Sequence, residues 1–473
     1  MLNLSIGATA AALSATCEGT LLFEGNQAVT SLTIDSRKVT KGALFVAIPG
    51  ERTDGHSFLD AAAANGAAAV LIERTDLPLE TLKNRNCSVI LCKNTVLALG
   101  KIAAAHRESC TARMVAVTGS VGKTTTRQFI HAVLSSALFT HKTGGNLNNE
   151  LGVPLTLGAL TNAHHAAVLE LGMSQKGEIS YLTHLVRPDI AVITNIGTAH
   201  IEFLGSREAI RDAKLEIAEG LPPNGTLIVN GDEPLLHDIS GAITVGCEKS
   251  ADLDYRAVNL RFTPQGMCFD AVCPDTIIKD CRIPTLGEHT VLDAMFAVAV
   301  GHIIGLTEDN IRQGLAAFEG VGMRQNLHEE DGCLYILDYY NASVESIRAS
   351  LSVTKRLAEA RNGRTVAILG SVLELGELSE ALHRRIGLHI VNYRIDQLYT
   401  LGKEAAWIAE EAITYGLLPS CVHSFPNLED AAALAEAVRT DRRPNDCYLL
   451  KASHSVRLER VAEKLLKNLS SSN

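Results

Sequence analysis

Little in the chain marks it for membranes, nucleic acids or an oxidising compartment. No apolar run approaches the ~20 residues that a membrane span needs. Basic residues are the minority, 43 against 53 acidic, and the net charge of −10 disfavours a nucleic-acid or anionic-membrane partner. A polyanionic substrate must then be met by local cations. The eleven cysteines are scattered, with Cys87/Cys92 and Cys268/Cys273 the nearest pairs. The C-x-x-C spacing of zinc and redox sites is missing, so reduced, mostly buried thiols and a cytoplasmic location are expected. The opening "MLNLSIGATAAALSATCEG" lacks a basic leader and reads as a first amphipathic helix. No repeat with a period of roughly 20–50 residues is visible.

What is present suits a large globular chain. Hydrophobic residues make up 46% and charged ones 20% of 473 residues, enough for about three domains. Up to residue 106, short strands ("SLTIDSRKV", "GALFVAIPG") mix with alanine-rich helix. Over 107–320, strands "HAAVLELG", "PDIAVITNIG" and "GTLIVNGD" alternate with helices such as "SREAIRDAKLEIAEGL". That is the pattern of a buried parallel sheet with helices on both faces. The stretch 252–283 reads as antiparallel hairpins. Over 321–473, "CLYILDYYN", "RTVAILG", "IDQLYTLG" and "CYLLKAS" give a second alternating run. The expected fold is therefore α/β in three domains: a small mixed α/β domain, a central P-loop-type parallel sheet and a C-terminal Rossmann-like sheet.

The most informative stretch is "VAVTGSVGKTTTRQF". A β-branched run ends at Thr118, a small-residue loop follows, and Lys123 opens a helical pattern. Such a loop aims backbone N–H groups and a helix N-terminus at one point, which suits phosphate. Gly119 and Gly122 permit close approach, Lys123 reaches the β/γ-phosphates, and the Thr124 hydroxyl takes Mg²⁺. The loop G-x-x-G-K-T is shorter than the common form, which would place a glycine at Val117. Thr118, Gly119, Ser120, Val121, Gly122, Lys123, Thr124 and Thr125 are the expected nucleotide cradle.

Ligands of open parallel sheets sit beyond the carboxyl ends of the strands. Glu170, just after "AAVL", is a candidate Mg²⁺ ligand near Thr124. His200 follows the next strand, although a lone histidine is more often structural. Lys214, within "REAIRDAKLEIAEGL", reads by itself as a solvated helix lysine. Asn146, Asn148 and Asn149 in "GGNLNNELGVPLTL" suit either loop closure or substrate recognition.

These motifs, in this order, resemble the Mur ligases, ATP-dependent amide synthetases of peptidoglycan assembly. The resemblance rests on "DSRKVTKGALFVAIPGERTDGHSFLDAA", "TGSVGKTTT", "NLNNELGVPLTL", "LELGMSQKGEI", "NIGTAHIEFLG", "AKLEI", "DYYNAS", "LELGELSEALHRRIG" and "SVRLERV". Among the members, the chain looks most like the one joining D-Ala-D-Ala to UDP-MurNAc-tripeptide. The resemblance implies ATP and two Mg²⁺ ions, with His200 and Lys214 on the second ion and Lys214 carbamoylated. It places Ser36, Arg37, Asp54 and His56 on the uridine-nucleotide side. It brings Arg324, Asp338 and Asn341 to ATP from the third domain, and Asp293 to the nucleotide from its helix. A monomer is expected.

The sequence departs from the family pattern in several places. Leu337, Ser343 and Val344 alter "DDSYNANP", Asp293 stands for an asparagine, Ser371 for an aspartate, and His454 for an arginine. Joint loss of the last two would leave a neutral pair if they face each other. The rival readings are the ligase adding the third residue, whose D-N-P-R signature is missing here, the folylpolyglutamate synthases, and a non-catalytic nucleotide-binding protein.

Overall fold

Leu44, Phe45 and Val46 show why the first sheet forms. Successive side chains of a strand point to opposite faces. Leu44 and Val46 pack with Leu13, Leu71, Leu99 and Ile102 on one face, and Phe45 packs with Leu59, Val70, Ile72 and Val89 on the other. A strand covered on both faces needs no polar position.

The computed structural model describes residues 2–50, 53–247, 252–263, 265–320, 322 and 324–467. They fall into two compact units. One comprises Met1–Thr118, Leu134–Ile193 and Ala213–Ile228, the other Gly119–Val133, Thr194–Asp212 and Val229–Asn473.

In the first unit, strands β1 (Thr20–Phe23), β2 (Ser31–Thr33), β3 (Ala43–Val46), β4 (Ala69–Ile72) and β5 (Ser88–Leu91) form a sheet of order β1-β5-β4-β3-β2. Only β1 is antiparallel to its neighbour. The N-terminal segment forms a 3-10 turn, Leu4–Ile6, and a helix, Ala10–Thr16, capped by the Thr9 hydroxyl. Four parallel strands follow: β6 (Arg113–Thr118), β7 (Thr140–Lys142), β8 (Ala166–Glu170) and β9 (Ile190–Ile193). Their order is β9-β6-β8-β7, with Val117 beside Glu170 and Thr118 beside Ile193. The carboxyl ends of β6, β8 and β9 are thus level, and Glu170 sits one residue from the start of the glycine loop. Strand β10 (Thr226–Asn230) runs across the division between the units.

In the second unit, β11 (Ile243–Cys247) runs parallel to β12 (Tyr255–Thr263). Strands β12, β13 (Gly266–Val272) and β14 (Ile277–Ile283) form the expected antiparallel meander. The helix Glu288–Ile304 follows, buried along most of its length. The last sheet contains β15 (Asn326–Glu330), β16 (Cys333–Leu337), β17 (Thr365–Gly370), β18 (Gln397–Leu401), β19 (Val422–Phe425) and β20 (Cys447–Lys451). Its order is β15-β16-β20-β17-β18-β19, parallel apart from the β15 edge. Tyr335, Tyr399 and Tyr448 fill its core with Ile368, Leu401 and Leu450.

Two differences from the sequence reading have local causes. The helix expected over 206–221 is α-helical at Arg207–Leu215 and tightens to 3-10 at Glu216–Gly220. There the Glu216 carboxylate accepts from the amides of Gly177 and Ser180, and Gly220 lies so close to Thr183 that a side chain would clash. Strands β15 and β19 were not expected, and β15, "NLHEE", is a largely polar edge strand. Among the described residues no disulfide forms, and eight of the eleven cysteines are buried. Among the described residues, no helix is long and apolar enough to cross a membrane.

Candidate active site

The glycine loop joins β6 to the helix Lys123–Ser135. Gly119 has φ +149° and Gly122 has φ +85°. A Cβ on Gly119 would lie 1.9 Å from Thr194 Oγ1, and one on Gly122 would lie 2.5 Å from Asp293 Oδ1, so both positions require glycine. Asn195, just beyond β9, holds the loop. Its Oδ1 accepts from the amides of Ser120 (3.1 Å) and Val121 (2.9 Å), while Thr194 Oγ1 donates to the Val121 carbonyl at 2.6 Å. Neither residue drew attention in the sequence, although their place after a strand was the available signal. Lys123 Nζ folds over the loop and donates to the Gly119 carbonyl at 2.7 Å. Ser120 Oγ is buried with no hydrogen-bond partner among the described residues. A tight glycine turn, a lysine laid across it and an orphaned buried hydroxyl fit a phosphate chain.

Behind the loop, Thr124 and Thr126 are buried and Thr125 is half-buried. Thr126 Oγ1 lies 3.0 Å from Asp293 Oδ1. Burial pushes the Asp293 carboxyl up to about 8, against the opposing Thr126 hydrogen bond and Arg324 charge. At neutral pH this aspartate is protonated and uncharged, as an asparagine would be.

Thr118 Oγ1 donates to the Leu171 carbonyl, tying β6 to the segment after β8. Glu170 is 2% exposed. Its Oε1 accepts from Asn148 Nδ2 at 3.0 Å, and its amide donates to Thr143 Oγ1. The three asparagines divide their work. Asn148 orients Glu170, Asn149 accepts from the amides of Leu151 and Gly152 at a helix start, and Asn146 is exposed. Lys214 is 2% exposed rather than solvated. His200 Nδ1 lies 2.6 Å from Glu374 Oε2.

A magnesium ion fits part of this donor set. Glu170 offers a buried, oriented carboxylate. Among the described residues, no group of three His, Cys, Asp or Glu side chains could hold a metal alone. Mg²⁺ usually takes one or two protein carboxylates with phosphate and water oxygens completing the shell. The four residues expected at the metal are divided between the units: Glu170 and Lys214 in the first, Thr124 and His200 in the second.

The Arg324 guanidinium stacks 4.7 Å over the Tyr340 ring, whose other neighbour is the His454 imidazole at 5.8 Å. Asp338 is locked in place. Its Oδ2 accepts from Lys451 Nζ and Ser350 Oγ, each at 2.7 Å, and Lys451 Nζ also donates to the Asn341 carbonyl at 3.1 Å. Asn341 is exposed. The facing of Ser371 and His454 is not found. Ser371 Oγ instead donates to Glu404 Oε2 at 2.8 Å, so a carboxylate from a neighbouring segment supplies its partner.

In the N-terminal sheet region, Arg37 is exposed and forms a two-pronged pair with Asp35. The backbone carbonyl of Ser36 accepts from Asn65. Both nitrogens of His56 are used: Nδ1 meets Asp54 at 2.7 Å, and Nε2 accepts from the Glu73 amide. Asp54, held by the His56 amide and side chain, titrates near 2.

Three family profiles match along the chain: Mur ligase family, catalytic domain, over 28–107; Mur ligase middle domain over 117–301; and Mur ligase, glutamate ligase domain, over 323–454. The chain is 40% identical to the UDP-N-acetylmuramoyl-tripeptide–D-alanyl-D-alanine ligase of Bacillus subtilis, over 92% of each. It is 38% identical to the ligase of the same description from Escherichia coli, over 79% of this chain and 82% of that one. Its fold is similar to crystal structures of MurF from Acinetobacter baumannii (TM-score 0.86, 30% identity, 98% and 99% coverage) and of MurF ligase from Thermotoga maritima in complex with ADP (TM-score 0.79, 29% identity, 92% and 96%).

Proposed function

The chain belongs to the Mur ligase family, and from that membership we propose that it joins D-alanyl-D-alanine to UDP-N-acetylmuramoyl-tripeptide, with ATP converted to ADP and phosphate. The observation that carries this reading is the match to such ligases along most of the chain.

A free carboxylate resists attack by an amine. Transfer of the γ-phosphoryl group to the tripeptide carboxylate gives an acyl phosphate. The dipeptide amine then attacks its carbonyl carbon, forming the amide and releasing phosphate. ATP, carboxylate and UDP moiety are all anionic, so the site must gather and neutralise charge. Lys123 reaches the β/γ-phosphates across the loop that Asn195 shapes. Thr118 to Thr125 line the nucleotide, and neutral Asp293 supports Gly122 without repelling phosphate. If Mg²⁺ binds as the family reading implies, Glu170, steadied by Asn148, and the Thr124 hydroxyl would hold the first ion, and His200 with a carbamoylated Lys214 would hold the second. When bound, Mg²⁺ screens the triphosphate and the charge developing in phosphoryl transfer. Arg324, with Asn341 and the Asp338–Lys451 pair behind it, faces the nucleotide. Ser36 and Arg37 lie on the uridine side, where Asp54 and His56 brace the loop, and Asn146 with Asn149 borders the peptide. The protein acts as a cytoplasmic monomer, with domains 1–106, 107–320 and 321–473.

Phosphate release measured with UDP-MurNAc-tripeptide and a panel of D,D-dipeptides tests the reading. Release should require both substrates and be fastest with D-Ala-D-Ala. Release indifferent to the amine would reduce the protein to a nucleotide-binding or hydrolysing one. Turnover of UDP-MurNAc-dipeptide with a single amino acid would make it the third-residue ligase.

A further inference from the structure

The segment from Thr194 to Thr198, just after β9, is engaged on two sides. On one side Asn195 Oδ1 accepts from the Ser120 and Val121 amides, and Thr194 Oγ1 donates to the Val121 carbonyl, so this segment sets the shape of the phosphate loop. Gly197 is pressed between that loop and the C-terminal sheet region. A Cβ there would lie 3.2 Å from Ser120 Cβ and 3.0 Å from Glu345 Oε2. On the other side, Thr198 is 3% exposed, and its Oγ1 donates to the same Glu345 Oε2 at 3.2 Å. Glu345 lies in the first turn of the helix Val344–Arg361, 147 positions after Thr198. One carboxylate oxygen thus meets the segment whose opposite side holds the glycine loop. The C-terminal sheet region touches the chain again close by. The Glu202 amide donates to the Glu374 carbonyl at 3.3 Å, and Gly376, at φ +53°, lies where a Cβ would come 3.1 Å from Glu202 Cγ.

The alternative is that Glu345 serves only its own helix. A carboxylate in the first turn is favourable through the partial positive charge of a helix N-terminus, wherever its side chain points. That role asks nothing of Thr198. The helix is also capped without it: Ser343 Oγ accepts from the Ser346 amide, and Ser346 Oγ accepts from the Ser343 amide. Glu345 instead extends to a buried hydroxyl, whose donor would be costly to leave unmatched. Gly197 leaves room for the carboxylate by having no side chain.

We infer that Glu345 is a positioning residue of the nucleotide site: through Thr198 it fixes the segment Asn195–Thr198, and that segment holds the phosphate loop in shape through the Ser120 and Val121 amides. A loop already ordered has less freedom to lose when the triphosphate arrives, so it binds more tightly. By the same linkage, bound nucleotide strengthens the hold of the helix Val344–Arg361 on the segment. The inference rests on the reading of the glycine loop as the ATP site.

The test measures binding of AMPPNP with Mg²⁺ to the full-length protein by calorimetry, together with hydrogen exchange of the segment spanning Ser120 and Val121. Glu345→Ala should weaken AMPPNP binding about tenfold and speed exchange in that segment. Glu345→Asp keeps the charge at the helix N-terminus but is one methylene short of Thr198, and should behave like the alanine variant. Glu345→Gln loses the charge but keeps an acceptor oxygen of the same reach, and should restore most of the affinity and protection. Thr198→Val, nearly isosteric, removes the donor alone and carries the test even where Glu345→Ala fails to fold. It should match Glu345→Ala, and the double variant should be little worse than either. The opposite order, with Asp like the wild type and Gln like Ala, marks a helix-end charge and overturns the inference. So do unchanged affinity and exchange in Thr198→Val, or a double variant whose losses simply add. Phosphate release with UDP-MurNAc-tripeptide and D-Ala-D-Ala is read in parallel. If the AMPPNP results hold while no amine-dependent release occurs, the ligase reading fails and the assignment of Glu345 stands. A wild type that binds no AMPPNP overturns both.

Discussion

Replacing Asp293 with asparagine tests whether the group beneath the phosphate loop is neutral. Asp293 sits on the helix Glu288–Ile304, buried, with Oδ1 3.0 Å from Thr126 Oγ1 and pressed against Gly122. Burial raises its carboxyl from 3.8 to about 8. Between those values the native protein holds a proton that the unfolded chain has released. Stability therefore falls as pH rises from about 4 to about 8 and levels off above it. At 1.36 kcal/mol per pH unit for one proton, the wild type should lose about 3.5–4 kcal/mol relative to Asp293→Asn between roughly pH 5 and pH 8. The absolute offset also contains a separate contribution, because the second amide hydrogen needs an acceptor that a protonated carboxyl does not. The difference across pH is free of that offset. Urea unfolding of both proteins, followed by far-UV circular dichroism across the pH range, measures it. An ionised Asp293 would also face the incoming phosphates, so the ATP KM of the wild type should rise above about pH 8 while that of the variant stays level. A stability difference independent of pH, or one that grows in the wild type's favour as pH rises, refutes the reasoning.

Lys123→Ala should fold normally and lose about 10²–10³ in kcat, because no other loop side chain offers a cation to the phosphates. A folded variant that keeps a tenth or more of wild-type turnover would remove the loop from the chemistry. Lys214→Ala should be inactive and partly rescued by short-chain carboxylates, and Lys214→Arg should fail because arginine stays charged and forms no carbamate. Wild-type rates in Lys214→Arg would contradict that role. Lys451→Met strands the buried Asp338 carboxylate and should cost about 3–5 kcal/mol, much of it recovered by adding Asp338→Asn. Purely additive losses in urea unfolding would show that the pair is not coupled.

The parts of the molecule legible in the sequence are those where local pattern and tertiary role agree. The run from Val115 through Thr118 is a buried strand, and its glycines, lysine and threonines follow in the order a phosphate loop requires. Glu170 could be placed beside that loop because β6 and β8 are parallel neighbours and their ends align. Lys214 misled in isolation: a lysine on an amphipathic helix reads as solvated, and its burial follows from packing that no helical period records. Asn195 and Glu374 escaped for a related reason. Asn195 acts on amides about 75 positions earlier in the chain, and Glu374 lies 2.6 Å from His200, far earlier in the chain, so neither leaves a local mark. The pairing of Ser371 with His454 failed because Glu404, from the segment after β18, reaches Ser371 first.

The central claim is that a carboxylate is activated by phosphoryl transfer and then captured by an amine. Labelling the terminal carboxylate of UDP-MurNAc-tripeptide with ¹⁸O tests this directly, by mass spectrometry of the phosphate released during turnover with ATP and D-Ala-D-Ala. An acyl phosphate carries one carboxylate oxygen away on phosphorus, so each phosphate should contain one ¹⁸O while the new amide retains the other. Phosphate free of ¹⁸O, released at the same rate as ADP, would mean that ATP is merely hydrolysed and would contradict the account.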